Sequence, residues 1–551
     1  MNGEDRASGT GPAVNAVSAK RPNAAGSVVI SAAVVIGLAL VAKALGLFKD
    51  VVVASRFGTS VTMDAFLVAF TIPTIIISWL ESPIRAGFIP LFMERLERKG
   101  EHAAWRDVGV FLADFTVLVG AIVVIGIVAS PWIVRAVAPG FGPEARALAT
   151  SLTRVIFVAI LFTAIGGIFA NLFHCYRNFV IPGLGNPVNN LVLIVSALVL
   201  TVPFGIHGLA YGVVFGAAAH AAIQVSVALR HRGDIKVKVD FRDPMFLGVL
   251  RLAAPLLIGM AGAKLDDVVD RMFASTLSSG SISALAYAIR LIDIPREILI
   301  FAFSTVLLPY FSSLAARDDL SELADKFMMS LRVAFFVLFP VSIAMAVLGG
   351  PLVRLVFQRG EFDEHSVRFT VSALLLYTPT IWALGLTSIM ITAFVALRDT
   401  KTPVIAGFVR LGVKVALVAL FVRVFQHAGV ALSTSIAHVF KLVLFLFVLP
   451  KSVRQGRYRR LFWSFAGTFA AAAIMGTVLF LTASNFVGIA DPPSIFRQLL
   501  AIGGLVFEGT VVYVVASLFL AREELKEVVR ALRGSLDHII AKFSPAAPTP
   551  E

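Results

Sequence analysis

The chain has 551 residues, 58% of them hydrophobic and only 15% charged, with a mean hydropathy of +0.88. Soluble globular chains carry about 25% charged residues, so this composition excludes a soluble enzyme and defines an all-α polytopic membrane protein. The net charge of +14 would suggest nucleic acid in a soluble chain, but here much of it lies in short loops, where Lys and Arg set topology.

Residues 1–27 are polar and rich in Gly, Ala, Ser and Pro, and read as a disordered cytoplasmic tail. The apolar run 28–48 is longer than a signal-peptide core and has no small-residue cleavage site after it, so it reads as a retained first helix. Further runs near the roughly 20 residues needed to cross a bilayer follow at 62–81 (with a re-entering apolar tail to 93), 108–134, 152–174, 182–204, 208–229 and 247–273. The series continues at 283–314, 329–356, 367–396, 403–424, 428–449, 461–483 and 498–520. The expectation is therefore about fourteen transmembrane helices. Residues 521–551 contain the amphipathic stretch "AREELKEVVRALRGSLDHIIAKF", which reads as lying on the membrane surface or remaining solvated. The lone Cys175 rules out an intramolecular disulfide.

Lys and Arg concentrate in alternate loops. Arg95, Arg98, Lys99 and Arg106 follow the second span, five basic residues from Arg230 to Arg242 follow the sixth, and five from Lys451 to Arg460 follow the twelfth. "VPFGIHG" and "STLSSGS" carry none. The positive-inside rule then places both termini in the cytoplasm. The loop after the third span, with Arg135, Arg146 and Arg154, departs from this pattern.

The chain also repeats itself. "KDVVVASRFGTS" (Lys49–Ser60) pairs with "DRMFASTLSSGS" (Asp270–Ser281), "FTIP" ending at Pro73 with "IDIP" ending at Pro295, and "IPLF" at Ile89 with "LPYF" at Leu308. "RNFVIP" (Arg177–Pro182) pairs with "RDTKTP" (Arg398–Pro403), and "GLAYG" at Gly208 with "GVALS" at Gly429. The offset stays at about 220 residues, which defines two parallel six-helix repeats, an arrangement used by alternating-access transporters. The organisation expected is a bundle over 28–230, a cytoplasmic linker over 231–246, a second bundle over 247–450, two further helices over 461–520, and the tail.

Ionisable residues inside the spans carry the functional signal. A charge at mid-helix costs about 2.5–3.5 kcal/mol on insertion scales and survives where it faces a wet cavity or a partner. Lys43, Asp64, Glu81, Arg85, Lys264, Asp267, Asp270, Arg290, Asp293, Arg296 and Glu297 all lie in spans, mostly in the first two helices of each half. For Asp64, Asp270, Arg271 and Glu508, near span ends, the plainer alternative is snorkelling or structural pairing. Arg290 and Asp293 are three apart and share a helix face, so Asp293 is expected to hold Arg290. Pro73 and Pro295 are expected to kink their helices. A cationic cleft between the halves would select an anion, and arginine suits a phosphate because its planar fork binds two oxygens.

At these residues the sequence resembles the MurJ/MviN lipid II flippases of the MOP exporter superfamily. The matching pieces are "KALGLFKDVVVASRFGTSVTMDAFLVAFTIP", "AGFIPLF", "YRNFVIPGLGNPVNN", "DRMFASTLSSGSISALAYAIRLIDIPREILIFAFSTVLLPYFS", "VFQRGEF" and "RDTKTPV". They run in family order from the first to the eleventh span. The resemblance implies a fourteen-helix transporter that moves undecaprenyl-pyrophosphate-linked muropeptide from the inner to the outer leaflet of the bacterial cytoplasmic membrane. It implies a cationic cavity lined by the first, second, seventh and eighth helices, and a groove for the lipid tail by the last two. Carried over by position, Lys43, Lys49, Arg290, Asp293, Asp64 and Glu81 fall on family cavity residues, and Asp270 on an aspartate that some members use for sodium. Lys264, Arg296 and Arg85 complete the substrate-binding candidates, with Asp267 beside Asp270 for ion coupling. The sequence departs from the family in replacing two first-helix arginines by lysine and in carrying Ile77 and Ser78 where the second helix has an arginine pair. It also has Arg410 and Lys414 in the eleventh helix where asparagines are expected.

The expectation is thus a monomeric lipid flippase without metal or cofactor, binding a lipid-linked saccharide and membrane lipids and no nucleic acid, driven by membrane potential, proton or sodium. A flippase for another polyprenyl-linked oligosaccharide and a drug/cation antiporter are the alternatives; the latter wants acidic cleft residues, and the Lys/Arg excess opposes it. A degenerate scaffold that has lost transport is kept open by the missing second-helix arginines. A membrane-embedded glycosyltransferase is disfavoured by the lack of an Asp-rich loop, a phosphate-cradling Gly motif or a metal-ligand cluster. His207, His220, His427 and His438 are scattered and read as structural.

Overall fold

Helix boundaries follow from local capping chemistry. Ser60 caps the second helix by accepting from the Met63 amide. Asp243 accepts from the amides of Met245 and Phe246, with Pro244 opening the helix, where a missing N–H costs nothing. Asp319 and Asp363 cap two later helices in the same way. In the computed structural model, which describes residues 24–230, 235, 237–449, 458–487 and 495–543, the first half comprises α1 (Ala24–Phe57), α2 (Val61–Lys99), α3 (Glu101–Val137) and α4 (Pro143–Cys175). It continues with α5 (Val180–Gly183), α6 (Gly185–Val199), α7 (Thr201–Phe204) and α8 (Ile206–Arg230). The second half comprises α9 (Pro244–Ala274), α10 (Ser281–Ala316), α11 (Leu320–Phe357), α12 (Glu364–Tyr377), α13 (Pro379–Ala396) and α14 (Lys401–Val448). The helices α15 (Tyr458–Val487), α16 (Ile495–Leu520) and α17 (Arg522–Phe543) follow.

Every stretch expected to span is helical, and eleven of the described helices are long and apolar enough to cross a membrane. The segmentation differs from the expectation at particular places. The apolar tail of the second span does not re-enter: α2 runs unbroken through Pro73, Pro83 and Pro90, which membrane helices tolerate because neighbours satisfy the freed carbonyls. The fifth span is divided into α5, α6 and α7. The eleventh and twelfth are joined in one helix across a break at Gln426, φ 50° and ψ −132°. Helix α1 starts at Ala24, inside the expected tail, and α9 starts at Pro244, inside the expected linker; residues 1–23, and the basic loop over 450–457, lie outside the described residues.

The internal repeat is written in the backbone. Arg177 and Arg398, paired by sequence, both take left-handed φ of 57° and 62°. Gly205 and Gln426 share another uncommon conformation, at φ 54°, ψ −137° and φ 50°, ψ −132°. A positive φ is rare for a residue with a side chain, so its recurrence at the same offset reflects a duplicated chain path rather than local preference.

Inside a bilayer the hydrophobic effect does little between helices, so close contact depends on small residues and shape. Gly87 of α2 lies against Val249 of α9, where an added Cβ would meet the Val249 carbonyl oxygen at 2.9 Å. The cross-half packing of α2 on α9 rests on that gap, with Phe88, Phe92, Phe111 and Phe246 filling the space around it. Helices α15 and α16 pack on α11 through the Phe335–Phe465 ring stack and a 2.8 Å hydrogen bond from the Tyr513 hydroxyl to the Phe336 carbonyl.

Candidate functional site

The charged residues of α1 and α10 meet along the seam between the halves. Lys43 Nζ lies 2.6 Å from Glu297 Oε2, with about half of each side chain exposed. Two turns along α1, Asp50 sits between two cations: Lys49 Nζ is 3.1 Å from Oδ1, and Arg290 Nε of α10 is 3.3 Å from Oδ2. Lys49 and Asp50 are largely covered, whereas Arg290 keeps 54% of its side chain exposed. Its guanidinium is thus tethered at one edge and open at the rest, as a phosphate clamp requires.

This arrangement corrects one expectation and adds two residues. Asp293 does not hold Arg290; it pairs with Arg296 one turn on, and Asp50 takes Arg290 instead. Asp50 and Glu297 are absent from the sequence-derived set of binding residues, although Asp50 adjoins Lys49 and Glu297 lies inside an apolar span. Lys264 of α9 is partly buried and has no carboxylate partner among the described residues, and Asp267 is exposed on the same helix.

Asp64 occupies a different place from the cation cluster. It is 3% exposed, and its two oxygens accept from the amides of Gly280 and Ser283, each at 2.7 Å. It therefore caps α10 from the other half of the molecule, satisfying orphan donors at a helix N-terminus. The same end is sealed by further cross-half contacts. The Glu361 amide donates to the Ser55 carbonyl at 2.9 Å, the hydroxyls of Thr59 and Ser366 lie 2.8 Å apart, and the Gly140 amide donates to Ser275 Oγ at 3.1 Å. Gly280, at φ 87°, admits the chain so closely that a Cβ would lie 2.6 Å from the Thr59 carbonyl oxygen. This end is shut by main chain, and the cation cluster lies on the inner side of the seal.

Glu81 and Arg85 are one turn apart on α2 and line a cavity of about 300 Å³ inside the first bundle, away from the Lys49–Asp50–Arg290 group. Asp270 is clamped rather than open: Lys414 Nζ of α14 lies 2.8 Å from it and 3.1 Å from Asp266, while Arg410 reaches Asp266 at 2.8 Å. The Lys414 side chain is 1% exposed. A tethered ammonium thus bridges the two carboxylates.

On the far side of the molecule, Arg332 of α11 holds the first turn of α17. It pairs with Glu524, and its Nη2 lies 2.8 Å from Glu523, which Arg460 also contacts at 2.9 Å. Ser464 donates to Glu524 at 2.6 Å. The helix expected on the membrane surface or in solvent is anchored at its start to α11 and α15.

Two like helical bundles, sealed at one end and lined by cations on the inner side, define a multi-pass membrane transporter of the alternating-access class. The family model described as "Lipid II flippase MurJ" matches residues 53–498, and the chain belongs to that family. It is 28% identical over 469 residues to the lipid II flippase MurJ of Burkholderia cenocepacia, covering 82% of this chain and 89% of that one. It is 29% identical over 406 residues to the probable lipid II flippase MurJ of Buchnera aphidicola subsp. Schizaphis graminum, covering 73% and 79%. Its fold matches a solved "Lipid II flippase MurJ, inward closed conformation" with a TM-score of 0.73 at 23% identity, over 89% of this chain and 99% of that one. An inward-facing multidrug MATE transporter of the MOP superfamily matches at 0.64 with 17% identity, over 76% and 95%.

Proposed function

We propose that this chain is a flippase for lipid II, carrying the undecaprenyl-pyrophosphate-linked peptidoglycan precursor from the inner to the outer leaflet of the bacterial cytoplasmic membrane. The observation that carries the reading is the Lys49–Asp50–Arg290 group, which joins the two halves through a shared carboxylate and leaves about half of the Arg290 side chain exposed. The diphosphate displaces Asp50 from Arg290, taking the guanidinium fork in place of a carboxylate. Lys43 follows by exchanging Glu297 for the same anion. Substrate binding thereby breaks the ion pairs that tie α1 to α10, and frees the halves to rock about the sealed end.

The basic loops put the open side in the cytoplasm and both termini with it. The Asp64 seal then faces outward, and the protein rests in the state that loads substrate from the inner leaflet. An inside-negative potential drives a polyanion outward with about 2.3 kcal/mol per charge per 100 mV, so voltage supplies the driving force without a coupling ion. The exposed aromatic face of α15 and α16, including Phe480, Phe496 and Phe507, supports a lateral path for the polyprenyl tail. The family performs transport rather than catalysis, and the chain works as a monomer.

The test is complementation of a strain depleted of its own lipid II flippase. Growth with normal cell shape is the expected result, and lysis despite normal membrane levels would contradict it. Dye efflux in an exporter-deficient host separates the antiporter reading, for which resistance would rise.

A further inference from the structure

The first bundle contains a second polar site. The cavity of about 300 Å³ lies between α1, α2, α4, α6 and α8, at the lower edge of the range for small-molecule pockets. Glu81 and Arg85 are exposed residues on its wall, and Asn171 of α4 and Gln224 of α8 line it from positions that are 3% and 0% exposed. Asn171 makes no side-chain hydrogen bond among the described residues. Gln224 uses one end of its amide on the His220 ring, and the other end has no partner. Turning the amide over would exchange which atom is satisfied and leave the second still unpartnered. Gly185 is part of the same construction, because any Cβ there would collide with the His220 ring.

A buried polar atom without a partner costs about 1–3 kcal/mol; the free end of the Gln224 amide is one, and with the unbonded Asn171 amide on the same wall it marks a place built for a ligand that supplies the missing bonds. The chemistry of that ligand follows from the wall. Side-chain amides pair with amides, donor to acceptor and acceptor to donor, while Arg85 offers a fork to a carboxylate and Glu81 accepts from ammonium or hydroxyl groups. We propose that this cavity is a headgroup subsite that takes an amide-bearing part of the lipid-linked substrate, an N-acylated sugar or a peptide, while the diphosphate stays on the Lys49–Asp50–Arg290 group. The inference rests on the flippase reading and adds selectivity to it: the diphosphate group accepts any polyprenyl pyrophosphate, and the amide cavity distinguishes the headgroup.

The test is equilibrium binding to the full-length protein in lipid nanodiscs with three probes: undecaprenyl pyrophosphate, its N-acetylmuramyl derivative without peptide, and complete lipid II. Wild type is expected to bind one or both amide-bearing probes about tenfold tighter than the bare pyrophosphate. Gln224→Leu and Asn171→Leu should each abolish that gain while keeping the affinity for the bare pyrophosphate, which also reports that the variant is folded. A gain that appears with the sugar assigns the cavity to the N-acyl sugar, and one that appears only with lipid II assigns it to the peptide. Equal wild-type affinity for all three probes, or a gain that survives both substitutions, overturns the subsite. Failure of wild type to bind any of the three would instead count against the flippase reading.

Discussion

Asp50 of α1 and Arg290 of α10 stand 3.3 Å apart although 240 residues separate them in the chain, and Lys49 shares the same carboxylate. The pair spans the two duplicated bundles. A carboxylate in that position keeps two cations ordered while no substrate is bound, and it leaves when a better-matched anion arrives.

Asp50→Ala removes this placeholder. Arg290 and Lys49 then repel one another and lose their fixed geometry, so outer-leaflet delivery of lipid II is expected to fall about tenfold, in line with the cost of breaking a partly desolvated charge pair. Quantifying flipped substrate against membrane-inserted protein checks this. Undiminished delivery at equal protein level would show that the carboxylate has no part in loading.

Asp64→Ala should loosen the sealed end. Two amides of α10 lose their acceptor, a capping loss of about 1 kcal/mol. With Cys175 replaced by Ala, a cysteine placed at Thr59 is expected to react slowly with a membrane-impermeant maleimide added outside, and several-fold faster once Asp64 is removed. Equal labelling with and without Asp64 would mean that the helix cap does not hold the gate.

Lys414→Met strands Asp266 and Asp270 in a buried setting with one cation fewer. Removing one partner of a buried ion pair costs about 3–5 kcal/mol, so thermal unfolding in detergent should shift to a clearly lower midpoint. In wild-type proteoliposomes, replacing sodium by potassium should leave the flipping rate unchanged, because the ammonium already bridges the two carboxylates. A rate that collapses without sodium would refute this.

The α17 anchor has a defined pH range. Hydrogen bonds and charge from Arg460, then Arg332, lower the Glu523 carboxyl from 4.5 to about 2. A depressed folded-state pKa contributes stability that is fully present above the unfolded value and is lost as pH falls toward the folded one. The contact should therefore be constant from pH 7 to about 5 and weaken only between about 4.5 and 2. Because Glu523 is 63% exposed, added salt should weaken it as well. Amide exchange in the first turn of α17 measures this; release between pH 7 and 5 would contradict the assignment.

The duplicated helical plan could be read from the sequence because spans are written as apolar length and the repeat as pairs such as Arg177 with Arg398. The cations Lys43, Lys49 and Arg290 were legible too, since a charge in a hydrocarbon segment needs a reason. Their partners were harder. Spacing along one helix favoured Asp293 for Arg290, but the residue that meets Arg290 comes from α1, and no one-dimensional pattern encodes that approach. Asp64 stands out in the sequence as a charge in an apolar span, but only the fold shows that its two carboxylate oxygens cap a helix in the other half. Asn171 and Gln224 carry no charge and lie in ordinary apolar stretches, so only burial without partners gives them away.

The most direct measurement is flipping by purified protein in proteoliposomes, with headgroup exposure on the far leaflet compared for wild type, Arg290→Lys and Arg290→Ala at equal reconstitution. The clamp predicts that Arg290→Ala falls to the protein-free rate and that Arg290→Lys, keeping charge without the fork, lies between. Wild-type transport in Arg290→Ala would contradict a diphosphate held between the two bundles.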